Sequence, residues 1–223
     1  RSNKEIASSL DFTNKLFINA VEQSVKRIVN ISSQGVYGMS NKPLWKEEMC
    51  VAPEDIYGMA KYASELLVKN ARKISNYKTD ITNLRLASLT GGRENLHLEV
   101  VSRFVNNALR SEPLKIIGGR QVVSYMDVRD AASGIISLLS VDSKRWKEVY
   151  NLGSNQQHSI LEIAAIVSKI AMDCINEHVR IDIEEKDINF EVGMDSSLFY
   201  KDTDWRPKYN MVDTIKSLFD YFK

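Results

Sequence analysis

Stretches with apolar residues at helical spacing alternate along this chain with short β-branched runs, and that order leaves few folds open. Over 10–25, Leu10, Phe12, Leu16, Phe17, Ala20 and Val21 recur at helical intervals, and the stretch gives way to the β-rich RIVNIS at 27–32. Residues 57–74 are helical again, with Ala60, Ser64, Leu67, Val68 and Ala71 on one side, and TDITNLRLAS at 79–88 reads as a buried strand. The spacing then predicts a helix over 100–109, a strand in LKIIGG, a strand in VVSYMDV at 122–128, a helix over 129–140 and a strand in EVYNLG at 148–153. A helix over 160–171, a β-like VRIDIE and an amphipathic helix over 211–222 close the chain. Helices that return the chain to start the next strand in the same direction produce a parallel sheet, so the pattern predicts an α/β fold with crossover helices. No internal repeat, low-complexity tract or Pro/Gly linker divides the sequence, so tethered domains are not expected.

Composition excludes several classes of partner. The 223 residues, 43% hydrophobic and 26% charged, suffice to bury a sizeable core. Thirty basic residues face twenty-nine acidic ones for a formal charge of +1, so no overall field draws the chain to nucleic acid or anionic lipid. The two cysteines, Cys50 and Cys174, form no CxxC or Cys/His cluster, which fits a reducing, cytoplasmic setting better than a disulfide framework. No apolar run reaches membrane-spanning length, and RSNKEIASSL lacks a signal-peptide core. His97, His158 and His178 stand in unrelated contexts, so no metal site is expected.

Tyr57 and Lys61 are four residues apart on a predicted helix, which puts phenol and ammonium on one face. A phenol with an ordinary pKa of about 10 needs about 4 kcal/mol of help to serve as a base near neutrality. A unit charge about 4 Å away, at an effective dielectric near 20, supplies about that much. Ser33 ends the strand RIVNISS, where the carboxyl ends of parallel strands build ligand sites, and its hydroxyl can hold a substrate oxygen beside Tyr57. Tyr62 is a second phenol on the same helix.

Taken together, these segments resemble the extended short-chain dehydrogenase/reductase superfamily, in particular its NAD-dependent epimerase/dehydratase group acting on nucleotide sugars. VKRIVNISSQGVYG is similar to that family's strand ending in Ser-Ser-x-x-Val-Tyr-Gly, and YGMAK to its Tyr-x-x-x-Lys motif. LRLAS, SYMDVRDAA, YNLGSNQQHSILEIA and MDSSLFYKDTDWRPKYNMVDTI follow in the family's order. The resemblance implies a partial Rossmann-like, doubly wound parallel sheet with a smaller C-terminal α/β substrate lobe. The dinucleotide-binding part is then expected over 1–88 and 121–153, and the substrate lobe over 89–120 and 154–223. It further implies Tyr57 as catalytic acid/base, Lys61 as the cation that lowers its pKa and touches the nicotinamide ribose of NAD or NADP, and Ser33 as the group that polarises the reacting oxygen. Ser32 is then a structural strand-end residue.

Departures from the family pattern qualify these expectations. Its Gly-x-x-Gly-x-x-Gly loop, which cradles a pyrophosphate at a helix amino terminus, is not completed by any of the ten glycines. By that comparison the chain begins at the helix before the serine strand and reads as a fragment or truncated product, with an unpaired sheet edge and weak dinucleotide binding when isolated. Gln34 and Gly35 stand where a 4,6-dehydratase carries Asp-Glu, which disfavours water elimination. Val123 replaces an arginine that meets the substrate pyrophosphate, with Arg120 as a candidate substitute, and Ser88 replaces a substrate-contacting Asn. Arg85 reads as a helix- or strand-pairing cation, and Asp130 and Asp195 as helix caps.

The expected function is an NAD(P)-dependent epimerase or oxidoreductase on a nucleotide sugar, in which proton transfer at Tyr57 accompanies hydride transfer. A reductase or dehydrogenase of a non-nucleotide carbonyl and a non-catalytic, truncated binding module are the alternatives. The family commonly pairs through the helix before the serine strand and the Tyr/Lys helix, so a homodimer is expected.

Overall fold

A computed structural model describes residues 3–40, 42–92 and 99–222. In chain order its elements are α1 (Asn3–Glu22), β1 (Arg27–Ser33), α2 (Ile56–Ile74), β2 (Asp80–Leu86), β3 (Ser88–Thr90), α3 (Val100–Leu109), β4 (Leu114–Ile117), β5 (Val122–Val123), β6 (Tyr125–Asp127), α4 (Val128–Ser140), β7 (Val149–Leu152), β8 (His158–Ser159), α5 (Ile160–Ile175), β9 (Ile181–Glu184), α6 (Ser197–Thr203) and α7 (Met211–Phe222). Short 3₁₀ turns follow β1 at Gln34–Val36 and α4 at Ser143–Arg145.

The chain divides into two compact units, the first made of Arg1–Ala87, Ile135–Leu152 and Met194–Trp205, the second of Ser88–Gly134, Gly153–Gly193 and Arg206–Lys223. Ser88 and Gly153, at the edges of the expected parts, fall in the second unit, and two longer stretches depart from the bounds read off the sequence: 121–134 falls in the second unit and 194–205 in the first. Pairing explains both. β5 and β6 bind β8 and β3 of the second unit, whereas Trp45 bridges Met194 and the Phe199 ring meets Tyr150 edge-on in the first.

In the first unit three parallel strands lie in the order β1-β2-β7. β2 is central and buried over most of its length, as a strand covered on both faces must be. Among the described residues, β1 has a paired neighbour on its β2 side alone. Phe17 of α1 meets Val68 and Ala71 of α2 and Ile81 of β2, the apolar stripe that docks both helices on the sheet. Asp55 starts α2 with extended backbone, its carboxylate accepting the Gly58 N–H at 2.6 Å.

The second unit packs Phe104 and Val105 of α3, Leu114 of β4, Val167 of α5 and Ile215 and Phe219 of α7 into one core. α5 opens on a reciprocal capping box between Ser159 and Glu162 and ends on left-handed Asn176. The single strand expected over 122–128 is broken: β5 runs antiparallel to β8, and β6 parallel to β3. Asp130 caps no turn of its own helix. Its buried carboxylate accepts the backbone N–H groups of Lys208 and Tyr209 and so holds the approach to α7. Asp195 meets its expectation more closely, accepting the Ser197 N–H at the start of α6.

Candidate active site

β1 delivers Ser33 in extended backbone (φ −148°, ψ 150°), and its hydroxyl accepts the Gly35 N–H at 3.2 Å, turning the chain out of the sheet. The first turn of α2 lies directly against that turn. A Cβ added to Gly58 would stand 2.4 Å from the Gly35 carbonyl oxygen, so the two backbones approach as only glycine permits. Tyr57 is carried by the same turn of α2. A methyl group at Gly35 would lie 3.6 Å from Ser33 Oγ and 3.9 Å from the Tyr57 ring, so serine hydroxyl and tyrosine ring border one point. One helical turn on, Lys61 Nζ donates to the Ile31 carbonyl at 2.8 Å and sits 5.8 Å from the centre of the Tyr57 ring.

Tyr57 and Lys61 also border a cavity of about 450 Å³, closed by Ala60 and Ser64 of α2, Asn30 and Ile31 of β1, and Glu5, Ser9 and Thr13 of α1. Ser33 lies outside that lining, and so does Tyr62. The α1 residues escaped the sequence reading. Their spacing of four was visible, but nothing in it told which face of α1 looks toward α2.

Below the site, the contact of α2 with the sheet is polar. Asn30 donates to Asn83 and to Ser64, and Ser32 Oγ donates to Glu65 at 2.6 Å. Glu65 also accepts two bonds from the Arg85 guanidinium, at 2.9 and 2.8 Å, with both side chains 4% exposed. Burial opposes the Arg85 charge, but its hydrogen bonds to Glu65, with Tyr37 beside it, outweigh this and hold the guanidinium above its ordinary pKa. The guanidinium lies 4.7 Å from the Tyr37 ring centre; burial pushes the Tyr37 phenol up, and its hydroxyl donates to Asn151 at 2.8 Å.

Ser88 and Arg120 belong to the second unit. Ser88 opens β3 opposite Tyr125 and is half-buried. Arg120 is exposed and borders a cavity of about 540 Å³ shared with Glu185, Lys186 and Asp187. Val123 borders a different one, of about 480 Å³, whose cations are Arg103 and Lys115 and whose walls include Phe104, Tyr125 and Phe190. The reason is local: Gln121 bonds both Gly119 N–H and the Ile117 carbonyl, folding the turn so that positions 120 and 123 face separate spaces. Burial raises the Tyr125 phenol there, with Glu99 adding to the shift and Arg103 opposing it.

Among the described residues no three His, Cys, Asp or Glu side chains gather as a metal site, and no helix is long and apolar enough to cross a membrane. His158 pairs with Val123 in β8, and His97 lies outside the described residues.

The model of the NAD dependent epimerase/dehydratase family matches residues 1–153. Among curated relatives, the low-salt glycan biosynthesis protein Agl12 of Haloferax volcanii is 23% identical over 97% of this chain and 68% of its own length. The dTDP-glucose 4,6-dehydratase of an Actinoplanes species is 23% identical over 98% of this chain and 67% of its own. Of solved structures, the UDP-glucuronic acid 4-epimerase of Bacillus cereus, in complex with UDP-glucuronic acid and NAD, superposes with a TM-score of 0.81 at 23% identity, covering 94% of this chain and 65% of that one. The UDP-N-acetylglucosamine 4-epimerase of the same organism gives 0.84 at 22% identity, covering 98% and 72%. The chain thus spans about two thirds of the length of the proteins it matches, and the likeness establishes a Rossmann-like α/β fold.

Proposed function

The chain belongs to the NAD dependent epimerase/dehydratase family, and from that membership we propose that the protein containing it is an NAD-dependent epimerase or oxidoreductase of a nucleotide sugar. One observation carries the reading: Ser33 Oγ and the Tyr57 ring border the same point, with the Lys61 ammonium one turn away. The cavity beside Tyr57 and Lys61 suits a nicotinamide ribose, since Lys61, Ser64, Asn30 and Ser9 offer it donors and acceptors within about 450 Å³. NAD, when bound, supplies hydride exchange with a sugar carbon.

The residues of this chain then handle the proton and the oxygen. Tyr57, held as a phenolate by the charge of Lys61, takes the proton of the substrate hydroxyl and becomes a neutral phenol, while Ser33 donates a hydrogen bond to the same substrate oxygen. Lys61 is oriented for this by its bond to Ile31. Gln34 and Gly35, standing where a dehydratase holds its acid pair, favour epimerisation or plain oxidation over water elimination. In the second unit the cavity beside Val123 suits the nucleotide: aromatic walls for a base, and Arg103 and Lys115 for its phosphates. Exposed thiols at Cys50 and Cys174 accord with work in the cytoplasm.

A panel of nucleotide sugars, assayed with NAD on the full-length protein, tests the reading; epimerised or oxidised sugar is expected, and no product from any member would refute it. In calorimetric titrations with UDP, Arg103→Leu is expected to weaken binding about tenfold or more, the loss of one charge-assisted contact. Arg120→Leu leaves it unchanged.

The outer faces of α1 and α2 support the expected homodimer, since Phe12 and Leu16 of α1 are 67% and 52% exposed and Leu66 of α2 is 45% exposed. Sedimentation should report a dimer at micromolar concentration that Phe12→Glu dissociates; a monomer at high concentration would exclude it.

A further inference from the structure

Ser32, Arg85 and Asn151 are register partners across β1, β2 and β7, so one row of the sheet is polar from edge to edge, immediately before the row that holds Ser33. Two rows earlier on β1, Asn30 faces Asn83 in the same way. α2 rests on these rows through Ser64 and Glu65. Glu65 also continues the stripe of Tyr57 and Lys61, one further turn along the helix. Its carboxylate therefore touches β1 through Ser32 and β2 through Arg85, while Arg85 lies against Tyr37 in the segment that follows Ser33.

We propose that the buried Glu65–Arg85 pair positions Tyr57 and Lys61 against Ser33, acting as a registry pin between α2 and the end of β1. An apolar seam between helix and sheet tolerates sliding, because dispersion contacts lack direction. Bonds of 2.6–2.9 Å to a carboxylate do not, and one residue of axial slip would carry Tyr57 about 1.5 Å from its place. Removing a buried ion pair with apolar residues is often neutral for stability, so the pair is better explained by the geometry it fixes than by the energy it contributes. This inference rests on the catalytic reading of Tyr57 given above.

The test is the double variant Glu65→Leu/Arg85→Met in the full-length protein, because Arg85→Met alone would leave a buried carboxylate unpaired and unfold the chain. The double variant should keep its melting temperature within a few degrees of the parent. Its kcat should fall about 100-fold with KM for the nucleotide sugar unchanged, the signature of a misplaced reacting group. Glu65→Gln combined with Arg85→Met, which keeps an acceptor for Ser32 and leaves no buried charge, should recover part of that loss. Amide exchange over 56–63 should accelerate about tenfold in the double variant. A stable double variant with parental kcat overturns the proposal. If the parent itself turns over no nucleotide sugar, the catalytic reading falls, and unchanged exchange over 56–63 would then remove the pin as well.

Discussion

Tyr57→Phe in the full-length protein is expected to lower kcat by about 10³-fold, the usual magnitude for losing a positioned acid/base. The fold should not respond, because Tyr57 is 38% exposed and no apolar core cluster depends on its hydroxyl. Circular dichroism and the melting temperature should match the parent. KM should shift little, since the phenol acts on the proton in transit and contributes little to ground-state binding. Turnover within threefold of the parent would take Tyr57 out of the mechanism and leave the Ser33 hydroxyl without its partner. Tyr62→Phe is the matched control: it removes the neighbouring phenol, which borders no part of the Lys61 cavity, and should leave kcat unchanged.

Gly58→Ala should damage both stability and catalysis. In an ordinary helix the change would be favourable by up to about 1 kcal/mol, because alanine is the better helix former. Here the new Cβ would lie 2.4 Å from the Gly35 carbonyl oxygen and 3.0 Å from Pro53 Cβ. Neither neighbour is the flexible end of a long side chain, so α2 or the turn after Ser33 must move. Overpacking of this kind costs about 1–3 kcal/mol. A displacement of about 1 Å between Tyr57 and Ser33 lowers kcat about 100-fold. Gly35→Ala is the contrast in stability alone, since its nearest contacts would be 3.6–3.9 Å, ordinary packing distances, while its methyl would occupy the point between Ser33 and Tyr57. Thermal denaturation and steady-state kinetics on both variants decide it, and a Gly58→Ala protein as stable and active as its parent would show that the two backbones are not held as close as described.

Much of this was legible in the sequence for one physical reason: strongly amphipathic helices announce their own bounds. The helices expected over 100–109 and 211–222 form over those residues, and Tyr57 and Lys61 share a face because a four-residue step on a helix leaves no alternative. What escaped depends on pairing between distant segments. VVSYMDV splits at Ser124 because its halves find different partners, β8 and β3, and no local pattern encodes a partner's identity. α6 is a seven-residue helix whose Phe199 packs edge-on to Tyr150 and Trp205, a tertiary clamp with little periodicity of its own. Arg103 was unremarkable as a helix residue until the fold set it beside Val123. Arg85 reads correctly as a cation engaged within the fold, but its match to Glu65 required knowing that Ser32 and Arg85 stand side by side on adjacent strands.

The threading of the two units has a consequence for how the chain is made. The polypeptide passes from one unit to the other at residues 87, 134, 152, 193 and 205. Neither unit can be cut out as a continuous gene segment, and neither is whole until late in translation: the first waits for Trp205, and the core of the second for Ile215 and Phe219 of α7. A ribosome-bound chain stopped before residue 200 would hold two incomplete hydrophobic cores, the kind of nascent species that chaperones retain.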